Sequence, residues 1–200
     1  MASPSLVVLS MVLILHFILS MATASLSCVL QRESEVNLHL YLHQIASGPG
    51  TNQVVIVTSS KRSVFRLTSV TDWTVIDGPN PATATIVART KGMQVQAYIA
   101  GPGWFNYFSM VFEKNSREYD IALQNYIMYN GSSFEAMGIN SQTGQGQMAI
   151  MGGTGEFAVA RGVIKYNTPA NPPTFQTIKE LNIHAFYAKP SDTTSGATIQ

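Results

Sequence analysis

Side chains able to do acid, base or metal chemistry are few and scattered. The 200-residue chain holds four histidines, one cysteine and eleven acidic residues. His39 and His43 stand four positions apart. On a strand that spacing separates them by about 13 Å at ~3.3 Å per residue. One zinc with ~2 Å bonds cannot bridge that gap, so no metal site is expected. Composition leaves a Ser–His–Asp triad open, but the chain has no Gly-x-Ser-x-Gly elbow and lacks the helices around one. Gly152-Gly153-Thr154-Gly155 lacks the Lys-Ser/Thr of a phosphate loop and reads as a tight turn between strands.

The remaining chemistry is that of holding a ligand. Gln44 continues the face Val36, Leu38, Leu40, Leu42 and should point inward. A buried amide needs a partner or a ligand; the alternative places Gln44 at a barrel mouth, in water. Trp104, Phe105, Tyr107 and Phe108 can line an aromatic cavity by stacking. The competing reading has them filling core or subunit contacts.

Strands must position these groups, because the dominant period is two. Val36 to Gln44 alternates over nine residues, and Met93 to Ile99 does the same. Val54–Val57, Trp104–Phe112, Tyr119–Tyr129, Met148–Met151, Phe157–Tyr166 and Phe175–Ala188 complete about eight expected strands. Turn signals separate them, among them Ser47-Gly48-Pro49-Gly50, Asp77-Gly78-Pro79 and Gly101-Pro102-Gly103. No segment carries a helical period with caps. The expectation is an all-β fold, an antiparallel barrel that closes its edges.

Hydrophobic residues make up 46% of the chain and charged residues 12%, at net charge +1. That composition excludes disorder and gives nucleic acid no basic stripe. Leu6 to Leu19 is nearly unbroken apolar sequence followed by Ala22-Thr23-Ala24. Shorter than a membrane span, it predicts a secretory signal over residues 1–24 and an extracellular, apoplastic protein without a membrane anchor. Residues 25–188 form the expected domain and 189–200 a disordered tail. Cys28 is alone and forms no internal disulfide. Asn130-Gly131-Ser132 is a glycosylation sequon at Asn130.

Residues Met151 to Gly162, read as Met-Gly-Gly-Thr-Gly-Glu-Phe-Ala-Val-Ala-Arg-Gly, resemble the signature of the plant dirigent family. Leu40 to Ile45, Val87 to Met93 and Tyr129 to Ser133 are similar to three further dirigent motifs in the same order. Val70 to Gly78 looks like the grass form of the domain, here without a jacalin-type lectin domain. The resemblance implies an eight-stranded antiparallel barrel of the dirigent and allene oxide cyclase type, a homo-oligomer (dimer or trimer) that needs no cofactor. It implies guidance of phenoxy radicals of the monolignol kind into lignans, the radicals being made by a separate laccase or peroxidase. Whether that makes the chain an enzyme stays open. The residues expected to carry acids are altered: Gln44 and Asn140 replace two acids, Trp73 replaces one Asp of a pair, and Gly146 or Gln147 stands where an Arg is usual. Asp72 is left as the candidate cavity acid, with Gln44, Asn140, Trp104 and Tyr107 as further pocket candidates. Arg89 and Arg161 are family-like, with structural pairing to acids the competing role. Two other readings stand beside this one: a non-catalytic wall protein binding phenolics or glycans for defence, and an allene oxide cyclase-like isomerase.

Overall fold

A computed structural model describes residues 33–58, 64–99, 103–113, 128–140, 144–168 and 175–188, together with Met11, Ile14 and His16, which are helical. The signal cleavage region, Cys28, residues 119–127 of one expected strand and the tail from 189 lie outside them. Among the described residues no helix is long and apolar enough to cross a membrane.

Among the described residues nine strands follow in chain order: β1 Glu33–Ile45, β2 Gln53–Val57, β3 Thr68–Ile76, β4 Ile86–Gln96, β5 Trp104–Phe112, β6 Ser133–Asn140, β7 Gln145–Thr154, β8 Arg161–Asn167 and β9 Gln176–Ala188. Each neighbouring pair is antiparallel, in the order β1-β9-β8-β7-β6-β5-β4-β3-β2. β1 also pairs with β3, matching Tyr41 with Ile76, Leu42 with Val75 and His43 with Thr74. That pairing closes eight strands into a barrel and leaves β2 outside the closure.

β2 is the continuation of β1 along the same partner. After His43, β1 parts from β3, the chain loops out, and β2 rejoins β3 at Gln53 opposite Thr71. Asn52 pins the excursion. Its Oδ1 accepts from the Ile45 N–H at 2.7 Å and its Nδ2 donates to the His43 carbonyl at 2.9 Å.

The strands differ from the sequence expectation in membership. β3 and β6 were not expected from alternation. In β3 the alternation is carried by Ser69, Thr71, Trp73 and Val75, all buried, so half of its inward face is hydroxyl-bearing. In β6 it runs through Phe134, Ala136, Gly138 and Asn140, small and polar toward one end. The run expected over Tyr119–Tyr129 has its described end, Tyr129, in a turn. Phe157 lies in a 3-10 turn, Gly155–Phe157, before β8 begins.

The barrel has two unlike ends. At one, the start of β1 and the ends of β5, β7 and β9 gather aromatic rings. Phe134 stacks on Phe157 with centroids 4.0 Å apart, and Tyr129, Phe112 and Tyr187 stand 4.7, 5.4 and 5.3 Å from the same ring. Offset and edge-on contacts suit the ring quadrupoles, and the cluster plugs this end. Two glycines of the expected tight turn make it possible. A Cβ on Gly153 would collide with the Phe157 carbonyl, and Gly155 takes φ +61° with a Cβ position 2.5 Å from Ser132 Oγ.

Outside, β1 carries a ladder of polar pairs. Glu33 pairs with Arg161, Glu35 accepts from His184 at 2.7 Å, and His39 bonds Asn182 at 2.8 Å. The hydrogen bond from His184 holds the Glu35 carboxyl below the usual range. Strict alternation from Phe157 through Val159 puts Arg161 on the same face, where a buried guanidinium needs a partner. Val159 at φ +58° turns the chain instead, leaving Val159 and Arg161 exposed while Phe157 stays inside.

Phe157→Ala should lower the unfolding free energy by about 3–5 kcal/mol, because it removes the ring the other four touch. Urea unfolding reads this as a lower midpoint at unchanged slope.

Candidate functional site

The other end of the barrel is polar, and the same alternation that builds the core makes it so. β3, β4 and β5 place Ser69, Gln94 and Asn106 side by side on the inner face, in register. β4 ends inward at Gln96, whose Oε1 accepts from the Gly103 N–H at 2.8 Å. Gln44 stands one residue before the end of β1, Asn140 ends β6, and Lys179 points inward near the start of β9.

A recess opens here. Leu42, Trp73, Phe108, Met148 and Leu181 form its apolar walls, and Gln44, Asn106, Asn140, Tyr166 and Lys179 its polar ones. It measures about 270 Å³ out to the mouth, but side chains leave only about 10 Å³ open to the centre of a water. That holds one water and no aromatic ring. Two broader grooves, about 550 and 540 Å³, run over the outer surface, one across β1, β8 and β9 and one beneath the β1–β2 loop. Measured to the mouth as the recess is, they hold about 950 and 1020 Å³ and are more open; the recess differs in setting apolar walls beside convergent polar groups, and it must widen to admit a ring.

Lys179 is the unusual member. It is only 9% exposed, and its Nζ lies 5.5 Å from the centre of the Tyr166 ring. Among the described residues no carboxylate reaches it. Burial lowers its pKa from 10.5 to about 8, since desolvation penalises the charged amine. Tyr166 fills space that β7 leaves free. Gly146 faces inward there, and a Cβ on it would collide with the Tyr166 hydroxyl. That hydroxyl donates to the Ile139 carbonyl at 3.4 Å. Asn140 contributes a buried Oδ1 with no hydrogen-bond partner among the described residues.

Residues 35–186 match the sequence profile of the family described as dirigent-like protein. The chain belongs to the dirigent family. It is 30% identical to Dirigent protein 11 of Arabidopsis thaliana over 154 residues, 74% of this chain and 68% of the relative. It is 27% identical to Dirigent protein 21 of the same plant, covering 76% of each. Its fold is similar to that of the pterocarpan synthase dirigent protein GePTS1, with TM-score 0.67, 23% identity, and coverage of 80% of this chain and 88% of that one. PsPTS1, another pterocarpan synthase dirigent protein, gives TM-score 0.64 and 23% identity over 78% of this chain and 97% of that one. At these identities the structures speak for the barrel alone.

Within this dirigent barrel the expected site residues separate. Gln44 and Asn140 both line the recess. Asp72 does not. It lies on the outer face of β3, its side chain 50% exposed, and it accepts two hydrogen bonds from Arg89, each 2.8 Å long. This bidentate pairing lowers the Asp72 pKa and raises that of Arg89. The strand period decides it: Trp73 points inward, so Asp72 must point out. Trp73 caps the wall and donates from Nε1 to Gln53 Oε1 at 2.8 Å. Tyr107 faces solvent, 43% exposed, between Met93 and Met137 in the adjoining strands. Trp104 pairs with Asn140 and Gln96 at the rim, outside the recess lining. Asn130 is exposed in a turn.

The sequence reading missed Lys179. Its signal was parity: Lys179 shares the face of Leu181, Ile183 and Ala185, all buried. The positive charge at this end of the barrel comes from β9.

With the folded-state pKa at about 8, the unfolded chain binds this proton more tightly up to its ordinary 10.5, so stability rises with pH across that window. Lys179→Met should therefore stabilise the protein by roughly 3 kcal/mol at about pH 7. The gain should fade near pH ~11, where the amine is neutral in both states. Chemical denaturation at the two pH values tests this.

Proposed function

We propose that the chain guides the coupling of phenoxy radicals derived from phenylpropanoid phenols, made by a separate oxidase, by seating one ring in the polar end of the barrel. The observation that supports this is the pairing of apolar walls with inward amide and amine groups, among them an Asn140 Oδ1 that no described group bonds, at one end of a closed barrel. Walls such as Trp73, Phe108 and Leu181 take an aromatic ring, while Gln44, Asn140 and Lys179 read its oxygens. The protein then need only hold a reactive molecule so that one face is open, which is catalysis by orientation.

The closed state of the recess sets how a guest enters. Met148, Gln44 and Lys179 are unbranched side chains, and their rotamers must swing aside for a ring. Amides orient by hydrogen bonding but do not act as general acids near neutral pH, so Gln44 and Asn140 serve as positioning groups. Secretion, expected from the apolar run Leu6–Leu19 and Ala22-Thr23-Ala24, would put the protein where radical-generating oxidases work.

Coniferyl alcohol oxidised by a laccase in the presence of the protein should give a coupled dimer enriched in one enantiomer, read by chiral chromatography. A racemic product at every protein concentration overturns the reading for that substrate, and binding without enrichment favours a non-catalytic role. Asn140→Leu should reduce the enantiomeric excess several-fold, whereas Asp72→Asn, altering an exposed pair on the outer face, should leave it unchanged.

A further inference from the structure

The recess holds a nearly buried amine whose one described contact is the Tyr166 ring, and beside it an amide oxygen with no described donor. Lys179 brings an amine that no described carboxylate neutralises, and Asn140 brings a buried Oδ1 that no described group bonds. Both line the same space. Leaving such groups unpaired is costly in a desolvated site, and a guest that pairs them recovers that cost. Tyr166 is the one other titratable side chain lining the recess, and the groups that β1, β3, β5, β6 and β7 turn into it are all uncharged.

We propose that Lys179 grips the guest by its ring oxygen and takes that oxygen as an anion, so the site selects free phenols and binds them as phenolates. This rests on the proposed seating of a phenol in the recess. The lowered pKa of Lys179 fits it, because an amine that is partly neutral near pH 8 can accept a proton. The phenol O–H bond breaks, the proton passes to Nζ, and the bonding pair stays on the ring oxygen. An ammonium–phenolate pair results, and no oxidant or reductant takes part. Away from water this pair is strong and directional. It fixes one end of the ring, while Asn140 Oδ1 accepts from a second hydroxyl on the guest.

The test uses coniferaldehyde, whose phenolate absorbs at longer wavelength than its phenol, and the 4-O-methyl ether of the same aldehyde, which has no phenol to ionise. On the wild-type protein the phenolate band should develop about one pH unit or more below its midpoint in free solution. Lys179→Met should abolish that displacement and Lys179→Arg should keep it. The ether should bind wild type roughly tenfold more weakly than the phenol, and the preference should vanish in Lys179→Met. Phenol and ether bound equally, with no displaced band, overturns the role of Lys179 while leaving the seating intact. This is the result expected if one water merely bridges Lys179 and Asn140. Binding of neither compound overturns both. Lys179→Arg guards against misreading a repacked recess in the methionine variant.

Discussion

Three residue pairs between β1 and β3 give this protein an inside. Without the match of Tyr41–His43 to Thr74–Ile76, the nine strands form one open antiparallel sheet. With it, eight strands have no free edge and one face of every strand turns toward a common axis. β1 then serves two neighbours at once, β9 along its whole length and β3 over a short stretch. The loop that follows exists because β1 must leave β3 and rejoin it as β2, and Asn52 holds that detour by bonding both sides of it.

Closure also makes the two ends different in kind. Each inward row is a ring of side chains, so whatever the strands place at one height is gathered in one layer. Toward one end the rows are Phe112, Phe134, Phe157 and Tyr187, which stack and exclude water. Toward the other they are Ser69, Gln94, Asn106, Gln44, Asn140 and Lys179. A layer rich in amides with one nearly buried amine is a poor core, and burial of that amine is the mark of it.

Much of the architecture was legible in the chain because a strand half-buried in a barrel must alternate. Leu38, Leu40, Leu42 and Gln44 announced an inward face, and Gln44 stands on it. Alternation failed where inward residues are themselves polar or small. Ser69 and Thr71 hid β3, Gly138 and Asn140 hid β6, and Lys179 on the inward face of β9 was not singled out. The same rule explains Asp72, for a residue beside the inward Trp73 points outward whatever chemistry its type suggests.

Composition and period by themselves determined an all-β domain, and the glycine-rich signature near Gly153 determined the dirigent family. Both are local properties, written in neighbouring residues. Which polar groups share a space was decided only by the tertiary structure. Gln44, Asn140 and Lys179 come from β1, β6 and β9, and nothing between neighbours in sequence states that these strands meet at one height around a ring. Register across the barrel sets that height, and register depends on every pair of strands closing at once.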